Sequence, residues 1–203
     1  MASYVFGSGT VADYTMYSHG VTGDFASADI GLVGDSITTL GRPDFAAAMS
    51  LVGKTVACDY WSSRPTAPAV TSTLARPILP RILIMACGTN DIFYPLGMGA
   101  QVTKLVNGVA SKGVEHVFWV DVHCCRTKLP LQTQVYDERN TCLVNNQIHD
   151  NMETSHVVQW HNTLNGRGTS WPPYYLSDGV HPKAGVGTKY WAAVIKNAIT
   201  PYL

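Results

Sequence analysis

Charge is scarce in this chain. Lys and Arg total 14 and Asp and Glu total 14 in 203 residues, so the formal net charge is zero. Charged residues make up 14% of the chain, against about 25% in an average soluble protein. Such a balance excludes the basic footprint by which proteins hold nucleic acid or an anionic membrane surface. A surface solvated by Ser, Thr, Asn, Gly and Tyr instead suits an extracellular or particle-bound setting. No apolar run approaches the ~20 residues that span a bilayer, and the N-terminus has neither the basic start nor the apolar stretch of a signal peptide. The cysteines number five, an odd count with no CxxC pair, so no metal is expected. Cys58 and Cys87 lie in apolar strand-like runs and read as inert core residues. Cys142 has Cys124 or Cys125 as a partner in an oxidising compartment, with free thiols the alternative. His123 beside Cys124 and Cys125 is too sparse for a metal cluster, and His19, His149, His156 and His161 have no partner spacing. Internal repeats and low-complexity tracts are also missing.

What is present is enough apolar residue, 46%, to bury one substantial core, so a single domain is expected. Residues 1–28, rich in Gly, Ser, Thr and Tyr, read as an irregular or hairpin-forming extension, and 29–203 as the domain. Short apolar runs at 29–33, 55–60, 81–87, 114–122 and 157–160 read as strands. Between and after them, 43–53, 101–112, 141–152 and 183–203 have helical character. Val102, Leu105, Val106 and Val109 form one inward face, Leu143, Val144 and Ile148 another, and Val186, Tyr190, Val194 and Ala198 a third. The segment 61–80 carries prolines at 65, 68, 77 and 80 and reads as an extended connection with little helix. Strands alternating with helices imply right-handed crossovers and a parallel five-stranded sheet covered on both faces, an α/β fold. Such sheets bind ligands outside the carboxyl ends of their strands.

Three polar turns are each bounded by an apolar strand or a helix: Gly34-Asp35-Ser36, Gly88-Thr89-Asn90-Asp91 and Asp178-Gly179-Val180-His181-Pro182. A serine hydroxyl is a poor nucleophile until a base lies within hydrogen-bond reach and a third group fixes the base's tautomer. Ser36, His181 and Asp178 are candidates for those roles. Taken alone, Asp178 reads first as a turn cap and His181 as a cap of the last helix, since short motifs are frequent by chance. Asn90 reads either as a side-chain oxyanion donor or as an ordinary turn residue. Asp91 reads as structural.

In this order the three turns resemble sequence blocks of the SGNH (GDSL-type) hydrolase superfamily, over roughly residues 29–200. The resemblance implies a flavodoxin-like three-layer α/β/α sandwich, Ser36 as nucleophile, His181 as base, Asp178 as its orienter, and Ser36 and Asn90 among the oxyanion donors. It also implies no cofactor. Family members normally have a glycine after the second strand, where Cys58-Asp59-Tyr60-Trp61-Ser62-Ser63-Arg64 has none. That stretch is similar to SGNH domains of the peptidoglycan O-acetyltransferase type, which aligns Asp59 and Arg64 and puts Ser63 in the donor position, with Ser62 its competitor. Asn140 or Asn145, followed by Val157-Val158-Gln159-Trp160, adds a second local likeness. Trp61 and Arg64 are then substrate-binding candidates, and Trp171, Tyr174 and Tyr175 are aromatics bordering the site.

The expected activity is that of a serine esterase on short acyl esters, with O-acetyl groups on carbohydrate ahead of lipid esters. An O-acetyltransferase differs only in the acceptor. The alternative from another class is a non-catalytic SGNH-like binding module of a cell-surface or viral assembly.

Overall fold

The computed structural model describes residues 19–165 and 174–203. Five parallel strands form its centre: β2 (Ile30–Gly34), β3 (Val56–Trp61), β4 (Ile82–Ala86), β5 (His116–Val120) and β6 (Val157–Val158). β2 and β4 are buried at every position, as befits inner strands with helices on both faces. A further strand, β1 (His19–Thr22), lies antiparallel to β3, and the sheet order is β1-β3-β2-β4-β5-β6. The expected five strands are therefore six. The extra one comes from the stretch expected to be an irregular or hairpin-forming extension, so a boundary after residue 28 cuts β1 from its sheet. His-Gly-Val-Thr carries no apolar run because an edge strand buried on little of its surface needs none.

Among the parallel strands the order is second, first, third, fourth, fifth in chain sequence, the flavodoxin arrangement. The chain departs in opposite directions from β2 and β4, which pair in register from Ile30–Ile82 to Gly34–Ala86. Their carboxyl ends thus open a crevice at the topological switch point.

The helices are α1 (Ser36–Ser50), α2 (Thr66–Leu74), α3 (Met98–Val109), α4 (Leu131–Asp150), α5 (Trp160–Asn165) and α6 (Val186–Ile199). α1 packs on α6, while α2, α3 and α4 form a second row. α1 starts at Ser36 rather than Pro43, with Pro43 inside it. Proline leaves the carbonyl four residues earlier without its N–H partner, and the Arg42 guanidinium donates to that carbonyl, Thr39 O. The proline-rich segment also contains a helix, α2. Pro65 is its N-cap and Pro68 lies in its first turn, where backbone N–H groups have no intrahelical acceptor anyway.

α4 begins at Leu131, ahead of the expected 141, and Leu143 faces solvent. α6 is turned by one residue from the expected face. Its buried stripe is Gly187, Thr188, Trp191, Ala192, Ile195 and Ile199, with Val186 exposed. Trp191 determines this, since its ring lies against Gly41 of α1, where a Cβ would come within 2.4 Å of it.

Candidate active site

The three polar turns meet at the switch point. β2 ends at Gly34 and α1 begins at Ser36, so Asp35 is the helix N-cap, its Oδ1 accepting the Ile37 N–H at 2.9 Å. Ser36, at the first helical position, is 8% exposed and has a backbone N–H that no intrahelical carbonyl can reach. Its Oγ lies 3.0 Å from His181 Nε2. On the far side of the ring, His181 Nδ1 lies 2.8 Å from Asp178 Oδ2. Asp178 Oδ1 meanwhile accepts the N–H groups of Val180 (2.9 Å) and His181 (2.8 Å), which folds the acid back onto the base. With Nδ1 protonated and donating to Asp178, Nε2 is the lone-pair nitrogen facing Ser36.

Electrostatics supports this arrangement. Burial alone would raise the Asp178 carboxyl, but the hydrogen bond and charge of His181 and the two backbone donors outweigh it, holding the group at about 2. Asp35 behaves oppositely. It is fully buried, and burial pushes its carboxyl from 3.8 up to about 7 against the Ile37 N–H, the nearby His181 and the Thr89 hydroxyl.

Asn90 sits in the 3-10 turn Thr89–Phe93 beyond β4. Its Nδ2 donates to Asp35 Oδ2 at 3.4 Å and to the Arg64 carbonyl at 3.3 Å. Both bonds are long, so an oxyanion beside Ser36 can compete for that amide. Asp91 is structural. It accepts the Thr66 N–H (2.9 Å) and hydroxyl (2.7 Å), supplying from another loop the cap that Pro65 cannot give α2. Burial pushes its carboxyl up, opposed by those two donors.

Ser63 is the single non-glycine residue with positive φ among the described residues, at 61°. It is the third residue of the turn closed by Arg64 N–H donating to Trp61 O at 3.1 Å, a position where positive φ favours glycine. Serine thus adopts a left-handed conformation at a turn position that favours glycine, and it is exposed. Ser62, by contrast, is buried. Trp61 is 51% exposed on the same turn.

Arg64, a substrate-binding candidate by resemblance, is engaged within the protein. It is 3% exposed, and its guanidinium donates to Asp59 Oδ1 at 2.9 Å, alongside Arg76, which donates to Asp59 Oδ2 at 2.8 Å. Its backbone carbonyl, through Asn90, is what reaches the site. Asn140 and Asn145 are buried on α4, and Tyr174 is exposed with its ring set edge-on to Tyr175. Trp171 lies outside the described residues.

Asp35 is the group that sequence reasoning passed over. The signal was available, an aspartate directly before a helix start, but it is visible only once α1 is drawn from Ser36. His123 is buried with its Nδ1 3.2 Å from His161 Nδ1, and burial followed by the His161 charge depresses it to about 3. Among the described residues no cluster of three or more His, Cys, Asp or Glu could hold a metal, and the five cysteines are free thiols. No helix among them is long and apolar enough to cross a membrane.

No family model and no curated protein sequence matches this chain. Solved structures do. Axe2, an acetylxylan esterase from Geobacillus stearothermophilus, is 16% identical with a TM-score of 0.56, over 86% of this chain and 95% of that one. LAE5, an alpha/beta hydrolase enzyme from the metagenome of Lake Arreo, Spain, is 15% identical with a TM-score of 0.63, over 87% and 97%. TesA is 18% identical with a TM-score of 0.62, over 86% and 99%. At these identities the likeness is one of fold, and the fold of this chain is the α/β/α sandwich of the SGNH (GDSL-type) esterases.

Proposed function

We propose that the protein is a serine esterase that hydrolyses short acyl esters through an acyl-serine intermediate. The observation that carries this reading is the line from Ser36 Oγ to His181 Nε2 (3.0 Å) and from His181 Nδ1 to Asp178 Oδ2 (2.8 Å). As Ser36 Oγ attacks the acyl carbon, His181 Nε2 takes its proton and Asp178 stabilises the imidazolium. The oxyanion accepts the Asn90 amide and the N–H groups of Ser36 and Ser63. His181 then protonates the leaving alcohol, and water, deprotonated by the same nitrogen, releases the acid and restores Ser36.

For the substrate, we infer O-acetyl groups on carbohydrate ahead of lipid esters. The half-exposed Trp61 on the Ser63 turn offers a flat apolar face of the kind that stacks on sugar rings. Axe2, whose fold this chain shares, is an acetylxylan esterase. An acetyltransferase would use the same steps with a sugar hydroxyl in place of water.

Release of p-nitrophenol from p-nitrophenyl acetate tests the reading. Wild type should exceed Ser36→Ala by at least about 1,000-fold, the order of loss when a nucleophile is removed. Equal rates for the two would sink it.

A further inference from the structure

α4 breaks the usual rule that a helix buries an apolar stripe. Asp137, Asn140, Thr141 and Asn145 are buried on it together with Val144 and Ile148. Buried polar groups are costly unless partnered, and each of these four is engaged on a loop at the rim of the site. Asn145 brackets Val122, accepting its N–H at 2.7 Å and donating to its carbonyl at 2.9 Å. Thr141 Oγ1 donates to Cys124 O at 3.1 Å, and Asn140 Nδ2 to Ile92 O, in the Asn90 turn, at 2.7 Å. Asp137, 0% exposed, accepts the Arg126 backbone N–H (3.0 Å), Nε (2.8 Å) and Nη2 (2.6 Å).

The segment held in this way continues to the acid and base. Cys125 N–H donates to Gly179 O and Thr127 N–H to Asp178 O, each at 3.0 Å. The Arg126 guanidinium carbon also lies 5.1 Å from the centre of the Phe93 ring, at the end of the Asn90 turn. One ion pair therefore touches the supports of both halves of the site.

We propose that Asp137 and Arg126 are positioning residues that fix the Asp178–His181 turn relative to the Asn90 turn. The catalytic consequence rests on the esterase reading; the placement does not. Bidentate geometry is what the role needs, since a fork held at two nitrogens and a backbone N–H fixes direction as well as distance.

The test uses the whole chain as wild type, Arg126→Gln, Arg126→Lys and Asp137→Asn. Two readouts are taken: steady-state kinetics on p-nitrophenyl acetate, and the low-field proton resonance of His181 Nδ1–H, identified by its loss in His181→Asn. Arg126→Gln and Asp137→Asn should lower kcat about 10- to 100-fold with KM within about twofold, and should shift or broaden the resonance. Arg126→Lys, which keeps the charge without the fork, should fall between. A folded Arg126→Gln with wild-type kcat and an unmoved resonance overturns the proposal, and so does a wild-type spectrum in which no resonance depends on His181. Because Arg126 is partly exposed, Arg126→Gln decides the matter even where Asp137→Asn fails to fold. A wild type that hydrolyses no ester refutes the esterase reading and leaves the resonance, which needs no turnover, to decide the positioning.

Discussion

In the proposed mechanism Ser63 and Asn90 serve the same oxyanion by different chemistry, and substitution separates them. Asn90 would act through its side chain, so Asn90→Ala should lower kcat by about 100-fold or more, the usual loss of an oxyanion donor. Ser63 would act through its backbone N–H, which glycine also has. At φ 61° serine carries strain of about 1–2 kcal/mol, partly offset by the extra entropy that glycine loses on folding. Ser63→Gly should therefore keep wild-type kcat and stabilise by about 0–1 kcal/mol, as read by denaturant unfolding. A kcat that collapses in Ser63→Gly would show that the hydroxyl matters and the backbone account is wrong. Legibility at this scale followed the same division. That Ser36, His181 and Asp178 come together could be read from sequence because three short turns in one order resemble the blocks of a single family, and the three side chains do meet. The Ser63 conformation could only be guessed, because φ belongs to the backbone and nothing in Ser62-Ser63-Arg64 announces a positive value.

Among elements, the turn Asp178–His181 is tightly constrained. Gly179 has φ 86°, and a Cβ there would stand 1.7 Å from the Cys125 carbonyl oxygen. Gly179→Ala cannot be accommodated without pushing this turn off the 122–127 segment, so it should cost about 2–4 kcal/mol and lower kcat together with stability. Thermal unfolding and kinetics of the purified variant would check both. Two of the elements misread in sequence turn on proline. The prolines of 61–80 read as helix breakers, whereas Pro65 and Pro68 occupy a helix start where no N–H is needed; Pro43, read as a helix start, lies inside α1, where Arg42 reaches the carbonyl it leaves open. The polar stripe of α4 was equally hidden, since Asp137 and Arg126 look like surface charges until the loop and helix are brought together.

For the whole molecule, the partly exposed Asp178 and the fully buried Asp35 set opposite pH dependences. Asp178 is held at about 2, below its unfolded value of about 4, so the folded state releases its proton more readily; the stability it adds is present above pH ~4 and is lost as pH falls from about 4 to about 2. Partly exposed as it is, it should contribute about 1–2 kcal/mol. Asp35 is raised to about 7, so between about pH 4 and 7 the folded state binds more protons than the unfolded one, and stability falls as pH rises through that window. Asp35→Asn should flatten this second slope in urea melts taken from pH 4 to 8; an unchanged slope would mean that Asp35 is not its source. The layered fold was legible because alternating apolar runs and helices leave few topologies. The antiparallel edge strand was not, because it buries too little to mark the sequence. Everything turns on whether Ser36 is an activated serine, and reaction with a fluorophosphonate probe measures that directly. One probe molecule should attach to Ser36 rapidly in wild type and only slowly in His181→Asn; labelling that is absent, or equally fast without His181, would contradict the account.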